Sequence, residues 1–145
     1  MLTKFSVTGS KPLVTEVSPS FNCELFPTTV TITGSRFFGG LSSADVRDLR
    51  LDDALETQLT GYSVLSDTEI TGAVVPAGVA PGTYSVRVTV SGGTNTASAV
   101  KFIVKPKPAV ASTNPVSGFN DVPVTITIYG SGFFGGSPTS EVISV

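Results

Sequence analysis

Hydrophobic and polar residues alternate with a period of two in several short runs of the chain. Val30 and Ile32 sit between Thr29, Thr31 and Thr33, and Val86, Val88 and Val90 alternate with Arg87 and Thr89. Val100, Phe102 and Val104 alternate with Lys101, with Ile103 the ambiguous position. A period of two places successive side chains on opposite faces of an extended chain, so each run predicts a strand with one dry face. Leu49 and Leu51, Tyr62 to Leu65, and Ile70 to Val74 predict further strands. The turn residues Ser66-Asp67, Pro81-Gly82 and Ser91-Gly92-Gly93 separate these runs at the spacing of a sandwich, for which about seven short strands suffice. In Asp52 to Leu59, Leu55 and Leu59 stand at helical spacing among good helix formers, so this stretch predicts either a single helical turn or a strand edge.

The pattern repeats. From Lys11 the chain reads KPLVTEVSPSFNCELFPTTVTITGSRFFGG, and from Lys107 it reads KPAVASTNPVSGFNDVPVTITIYGSGFFGG, aligned without a gap at an offset of about 96 residues. Pro12, Val14, Pro19 and Pro27 fall on Pro108, Val110, Pro115 and Pro123. Gly34-Ser35, Phe37-Phe38 and Gly39-Gly40 fall on Gly130-Ser131, Phe133-Phe134 and Gly135-Gly136. The register runs on to the last residue, with Val46 on Val142 and Leu49 on Val145. Lys4-Phe5-Ser6-Val7 reads like Lys101-Phe102-Ile103-Val104. Three parts are therefore expected: residues 1–10 as the tail strand of a preceding repeat or a linker, 11–105 as a complete domain, and 106–145 as a linker and the first strands of a second, incomplete one. Lys105-Pro106-Lys107-Pro108 is the linker, where alternating prolines restrict φ and remove donors, making a short, semi-rigid spacer.

Three pieces, in order, resemble the IPT/TIG family. The first is Pro12, Val14, Val17 and Pro19 followed by Thr29 to Phe38. The second is Ser66-Asp67-Thr68-Glu69-Ile70 with Val75-Pro76-Ala77-Gly78. The third is Pro81-Gly82-Thr83-Tyr84 leading into Val86, Val88, Val90 and Gly92-Gly93. The resemblance covers Lys11 to Val104 and the partial copy after Lys107. It implies an all-β, early-set immunoglobulin-like β-sandwich of the kind used as a spacer or interaction module in bacterial surface proteins, plexin-type receptors, starch-acting enzymes and Rel-type transcription factors. The fold does not choose among these uses.

Composition narrows the choice. The 145 residues suffice for one sandwich of about 100 residues and part of another. Charged residues are only 14% of the chain, which favours pleated, half-buried surfaces over solvated helices. Nine Lys and Arg against eleven Asp and Glu give a net charge of −2, without the basic footprint of a nucleic-acid binder. The loops Phe21 to Leu25 and Val75 to Thr83 carry no Lys or Arg, which argues against the DNA-contacting use. The chain has no histidine, the commonest general base and transition-metal ligand, and this is the strongest argument against catalysis. Cys23 is the single cysteine, so no intrachain disulfide and no thiol-ligand cluster is expected. No apolar run approaches the roughly 18 to 20 residues that span a bilayer. Thr3, Lys4 and Ser6 interrupt the apolar stretch a signal peptide needs, so an export signal is expected upstream, or the protein reaches its site by assembly, as virion parts do.

Several constellations invite chemistry. Gly130-Ser131-Gly132-Phe133-Phe134-Gly135 satisfies G-x-G-x-x-G, but Gly136-Ser137-Pro138 follows where a helix should start and Arg36 replaces Gly132 in the first copy, so a turn is expected. Asp45, Asp48, Asp52 and Asp53 could gather around calcium, yet Arg47 and Arg50 are interleaved and the ligand loop of an EF-hand is missing, so a solvated strand face and turn is expected. Asp67 and Glu69 lack the apolar cradle of a glycosidase acid pair. In Phe37-Phe38 and Phe133-Phe134 one ring is expected in the core and the other packed within the domain or against its neighbour, with an exposed anchor for a partner as the alternative; Phe21 and Phe26, in the loop between the first two strands, raise the same question.

No catalytic, cofactor-binding or metal-binding residue is assigned, and no cofactor is expected. The expected function is that of a non-enzymatic spacer or adhesion unit in a surface-exposed or fibre-like repeat protein, extracellular or at a cell surface. Its partners would be neighbouring immunoglobulin-like repeats or other protein subunits, with no nucleic acid and no membrane insertion. One alternative is a carbohydrate-binding accessory module, with Tyr62, Tyr84 and Tyr129 as its only tyrosines and no tryptophan. The other is a subunit decorating a virion or filament, whose second copy is completed by a strand from another chain.

Overall fold

A computed structural model describes residues 9–133. Its strands are β1 (Leu13–Ser18), β2 (Phe21–Cys23), β3 (Thr28–Ser35), β4 (Asp48–Leu51), β5 (Ser63–Ser66), β6 (Glu69–Val75), β7 (Gly82–Tyr84), β8 (Val86–Val90), β9 (Gly93–Thr94) and β10 (Phe102–Lys105), followed by β11 (Ala109–Asn114) and β12 (Thr127–Ser131). No helix occurs among the described residues.

One layer is the antiparallel sheet β1-β3-β6-β5. The other consists of β2-β10-β7 and β4-β8-β9. Only Ser85 separates β7 from β8, so these two are one strand broken at a single residue. Side chains from both layers interdigitate as the period-two reading requires: Val30, Ile32, Ile70, Ala73 and Val75 from the first meet Leu49, Leu51, Val86, Val88, Val90, Phe102 and Val104 from the second. The result is an immunoglobulin-like β-sandwich.

Four details depart from the sequence reading, each for a local reason. The strand expected from Val100 starts at Phe102, because the Val100 amide donates to Ser98 Oγ at 2.9 Å before the ladder begins. Phe21 to Cys23, expected in a loop, forms β2 and runs parallel to β10, pairing Phe21 with Ile103 and Cys23 with Lys105. Three residues are too few to show a period. Counting β2, β9 and the break at Ser85, ten short strands appear where about seven were expected. Asp52 to Leu59 is neither of the simple alternatives. Asp53 caps a turn by accepting from Thr57 N at 2.6 Å and Thr57 Oγ1 at 2.7 Å. The chain then crosses from one layer to the other through isolated bridges, Gln58 to Arg50 and Thr60 to Val74. Leu59 is buried between them while Leu55 is 85% exposed, so helical spacing did not put both on one face.

The β11–β12 hairpin reproduces β1–β3. Leu13 pairs with Ser35 and Ala109 with Ser131, Val17 with Ile32 and Thr113 with Ile128, and the bulge between Val14 and Glu16 recurs between Val110 and Ser112. Every partner is displaced by about 96 residues. Ser18-Pro19 and Asn114-Pro115 are both cis.

Candidate functional site

The four aspartates do not converge. Asp45 Oδ2 accepts from the Ser91 amide at 2.6 Å and its Oδ1 from Arg47 Nε at 3.1 Å, tying the loop before β4 to the turn after β8. The Ser91 hydroxyl and amide, with Arg47 beyond them, hold the Asp45 carboxyl below its ordinary value of 3.8. Asp48 faces Arg50 Nε at 3.5 Å, and Arg50 also reaches Glu56 at 3.3 Å. Asp52 Oδ1 accepts from the amide of Ser85, the residue at which β7 and β8 part. Asp53 caps its own turn. Each carboxylate is engaged by a donor of the fold, and among the described residues no three His, Cys, Asp or Glu side chains form a metal-binding group.

The first glycine and phenylalanine segment is a turn built around a buried ring, and in the second the corresponding Phe133 is half-buried. Phe37 is fully buried; Phe38 is half-buried, with its amide donating to Asp67 Oδ1 at 2.8 Å, so the two rings divide as expected. A Cβ on Gly34 would collide with the Leu13 carbonyl oxygen and come within 2.7 Å of the Phe37 ring. Gly130 stands in the same relation to Ala109 O and Phe133. Glycine is needed here because a carbonyl and an aromatic edge occupy the space of its side chain. Gly132 has φ 76°, and Arg36 adopts the same left-handed conformation at φ 64°. Phe134 and Gly135, the rest of the G-x-G-x-x-G stretch, and Gly136 after it lie outside the described residues, as do Lys4 to Val7 and Val142 to Val145.

At the end where the chain leaves the sandwich, Glu24 is held on several sides. Its amide donates to Lys105 O at 2.9 Å and its carbonyl accepts from Gly78 N at 2.7 Å. The adjoining turn closes through Phe26 N to Cys23 O and Asn22 Nδ2 to Phe26 O, both at 3.1 Å. Glu24 Oε1 accepts from the Lys107 amide at 2.9 Å. Leu25 and Phe26 are 50% and 64% exposed beside this joint, and Phe21 is at the margin of exposure. Cys23 is half-buried in β2. Sequence reasoning singled out Phe21 and Phe26 but missed Glu24, whose partner lies 83 residues away.

Val110 on β11 and Ile126 just before β12 are 63% and 50% exposed, whereas their counterparts Val14 and Val30 are 2% and 1% exposed. Among the described residues β12 pairs with β11 alone, while its counterpart β3 has β1 on one side and β6 on the other. Of the tyrosines, Tyr62 and Tyr84 pack against the core, and Tyr84 Oη donates to Ala80 O at 2.9 Å; Tyr129 is exposed. No helix long and apolar enough to cross a membrane occurs among the described residues.

The family model for the IPT/TIG domain matches residues 12–103. No curated protein matches the sequence. Among solved structures, the chain is similar to a structural genomics protein of unknown function from Bacteroides thetaiotaomicron, with a TM-score of 0.51 and 16% identity over 70% of this chain. The similar region spans 23% of that protein, and at this identity the likeness shows the fold alone.

Proposed function

The chain belongs to the IPT/TIG family, and from that premise we propose that it is a non-enzymatic spacer or adhesion module in an array of immunoglobulin-like repeats, displayed outside the cell or on a cell surface. The observation that carries this reading is the residue-by-residue recurrence of the β1–β3 register in β11–β12, three residues after β10 has ended. An array needs copies of one fold at a set spacing, and a four-residue linker keeps successive copies within about 13 Å along the chain. The partners of such a unit are its neighbouring copies and the protein subunits its ends meet.

The test is a two-module chain made by joining residues 9–108 to residues 13–105, since Pro108 occupies the place of Pro12. Small-angle scattering should show an elongated particle with one narrow distribution of lengths. A compact or broadly distributed particle would overturn the spacer reading.

A second reading rests on the uncovered Val110 and Ile126 face. Here the β11–β12 hairpin is completed by a strand from another chain, as in a filament or a virion-decorating subunit. Light scattering on the 145-residue protein decides it: a monomer that also resists protease through its C-terminal residues sinks this reading.

A further inference from the structure

Building on the array reading, we propose that Glu24 is the positioning residue of the joint between copies: its carboxylate grips the amide of Lys107 and fixes the direction in which the chain departs toward the next copy of the module.

The linker gives the fold a single handle. In Lys105-Pro106-Lys107-Pro108 the two prolines have no N–H, so Lys107 carries the only amide donor between Lys105 and Ala109. That donor is the one Glu24 takes, at 2.9 Å. Glu24 also acts from a rigid base, because its own amide and carbonyl are bonded to Lys105 and Gly78. A side chain rooted on a fixed backbone loses less freedom in holding a partner than one on a mobile loop, so more of the bond is available to orient the linker. Prolines restrict φ but leave ψ to rotate; the grip on Lys107 restrains the rotation they permit.

The segment that leads into the sandwich is held differently. Gly9-Ser10-Lys11-Pro12 occupies the positions of Lys105 to Pro108 one repeat earlier. There the chain lies against the turn after β8 so closely that a Cβ on Gly9 would come within 2.5 Å of Gly92 Cα. Lys105, at the equivalent position, carries a side chain where Gly9 has none, and the segment from Lys105 to Pro108 is held in another way. It is held from the preceding module instead. Leu25 and Phe26 border the grip and offer the following copy apolar surface within the linker's short reach.

The experiment is ¹⁵N relaxation on the 145-residue chain and two variants. The Lys107 amide should show an order parameter near that of the strands, about 0.85, falling below about 0.6 in Glu24→Ala and recovering in Glu24→Gln, which keeps the acceptor oxygen. Glu24 lies outside the apolar core, so unchanged amide shifts along β8 confirm that each variant is folded. The proposal is overturned if Lys107 is equally ordered in Glu24→Ala, or already mobile in the unsubstituted chain. Scattering on the two-module chain separates the two ideas. An elongated particle that Glu24→Ala leaves unchanged sinks the grip and spares the array, whereas a flexible unsubstituted particle sinks the array itself.

Discussion

Asn95 is 2% exposed and satisfies the backbone of a central strand from both ends of its amide: Oδ1 accepts from Val88 N at 2.7 Å and Nδ2 donates to Val86 O at 2.9 Å. Alanine would leave a buried N–H and a buried C=O without partners. Stranded groups of this kind cost about 1–3 kcal/mol each, so Asn95→Ala should destabilise the domain by roughly 2–6 kcal/mol, read by urea unfolding. Asp45 sets an acid limit of a different kind. Its folded pKa is depressed, so the Ser91 latch contributes fully above the ordinary value of 3.8 and is lost as pH falls through the lower folded value. The Ser91 amide resonance should therefore move only below the ordinary carboxylate range. Movement near pH 5 would show that the latch is absent in solution.

Among the elements, the turn after β3 is where a glycine, a ring and a backbone carbonyl compete for one volume. Gly34→Ala forces a methyl group onto the Leu13 carbonyl at the β1–β3 pairing, and Phe37→Ala empties the site beneath it. Expected losses are at least ~2 kcal/mol for the first and about 3–5 kcal/mol for the second, whereas Phe38→Ala, at a half-buried site, should cost less than Phe37→Ala. Equal effects at the two phenylalanines would contradict the division of the rings. This device was legible in sequence, because Gly34 and Phe37 recur as Gly130 and Phe133, and the dry faces of β3, β8 and β10 were legible from alternation alone. What escaped were partnerships made by topology. Asp45 and Asp52 looked like one acidic cluster, yet the sheet carries Ser91 to the first and Ser85 to the second, 46 and 33 residues away. β2 was hidden because it is three residues long and pairs parallel to a strand far along the chain. Glu24 gave no periodic signal, since its role depends on where the linker leaves the fold.

For the whole molecule, the decisive fact is where the core ends. Every buried apolar residue of the described chain lies between Val14 and Val104, and none belongs to β11 or β12. Hydrophobic burial is the dominant favourable contribution to folding, and a lone two-stranded hairpin is marginal in water. The sandwich should therefore carry its stability alone, with Glu24 and Lys107 adding a bond at its edge but no core. A chain ending at Pro108 should melt within about 2 °C of the 145-residue protein, because a change of that size corresponds to well under 1 kcal/mol in a domain of this length. In the longer chain, hydrogen exchange should find the amides of β6 and β8 opening only with global unfolding and those of β11 and β12 exchanging through cheap local opening. Strong protection of β11 and β12 in dilute solution would mean that another strand covers Val110 and Ile126. Dilution would then identify its source: protection lost at low concentration marks a strand from another chain, and protection that persists marks one from the same chain.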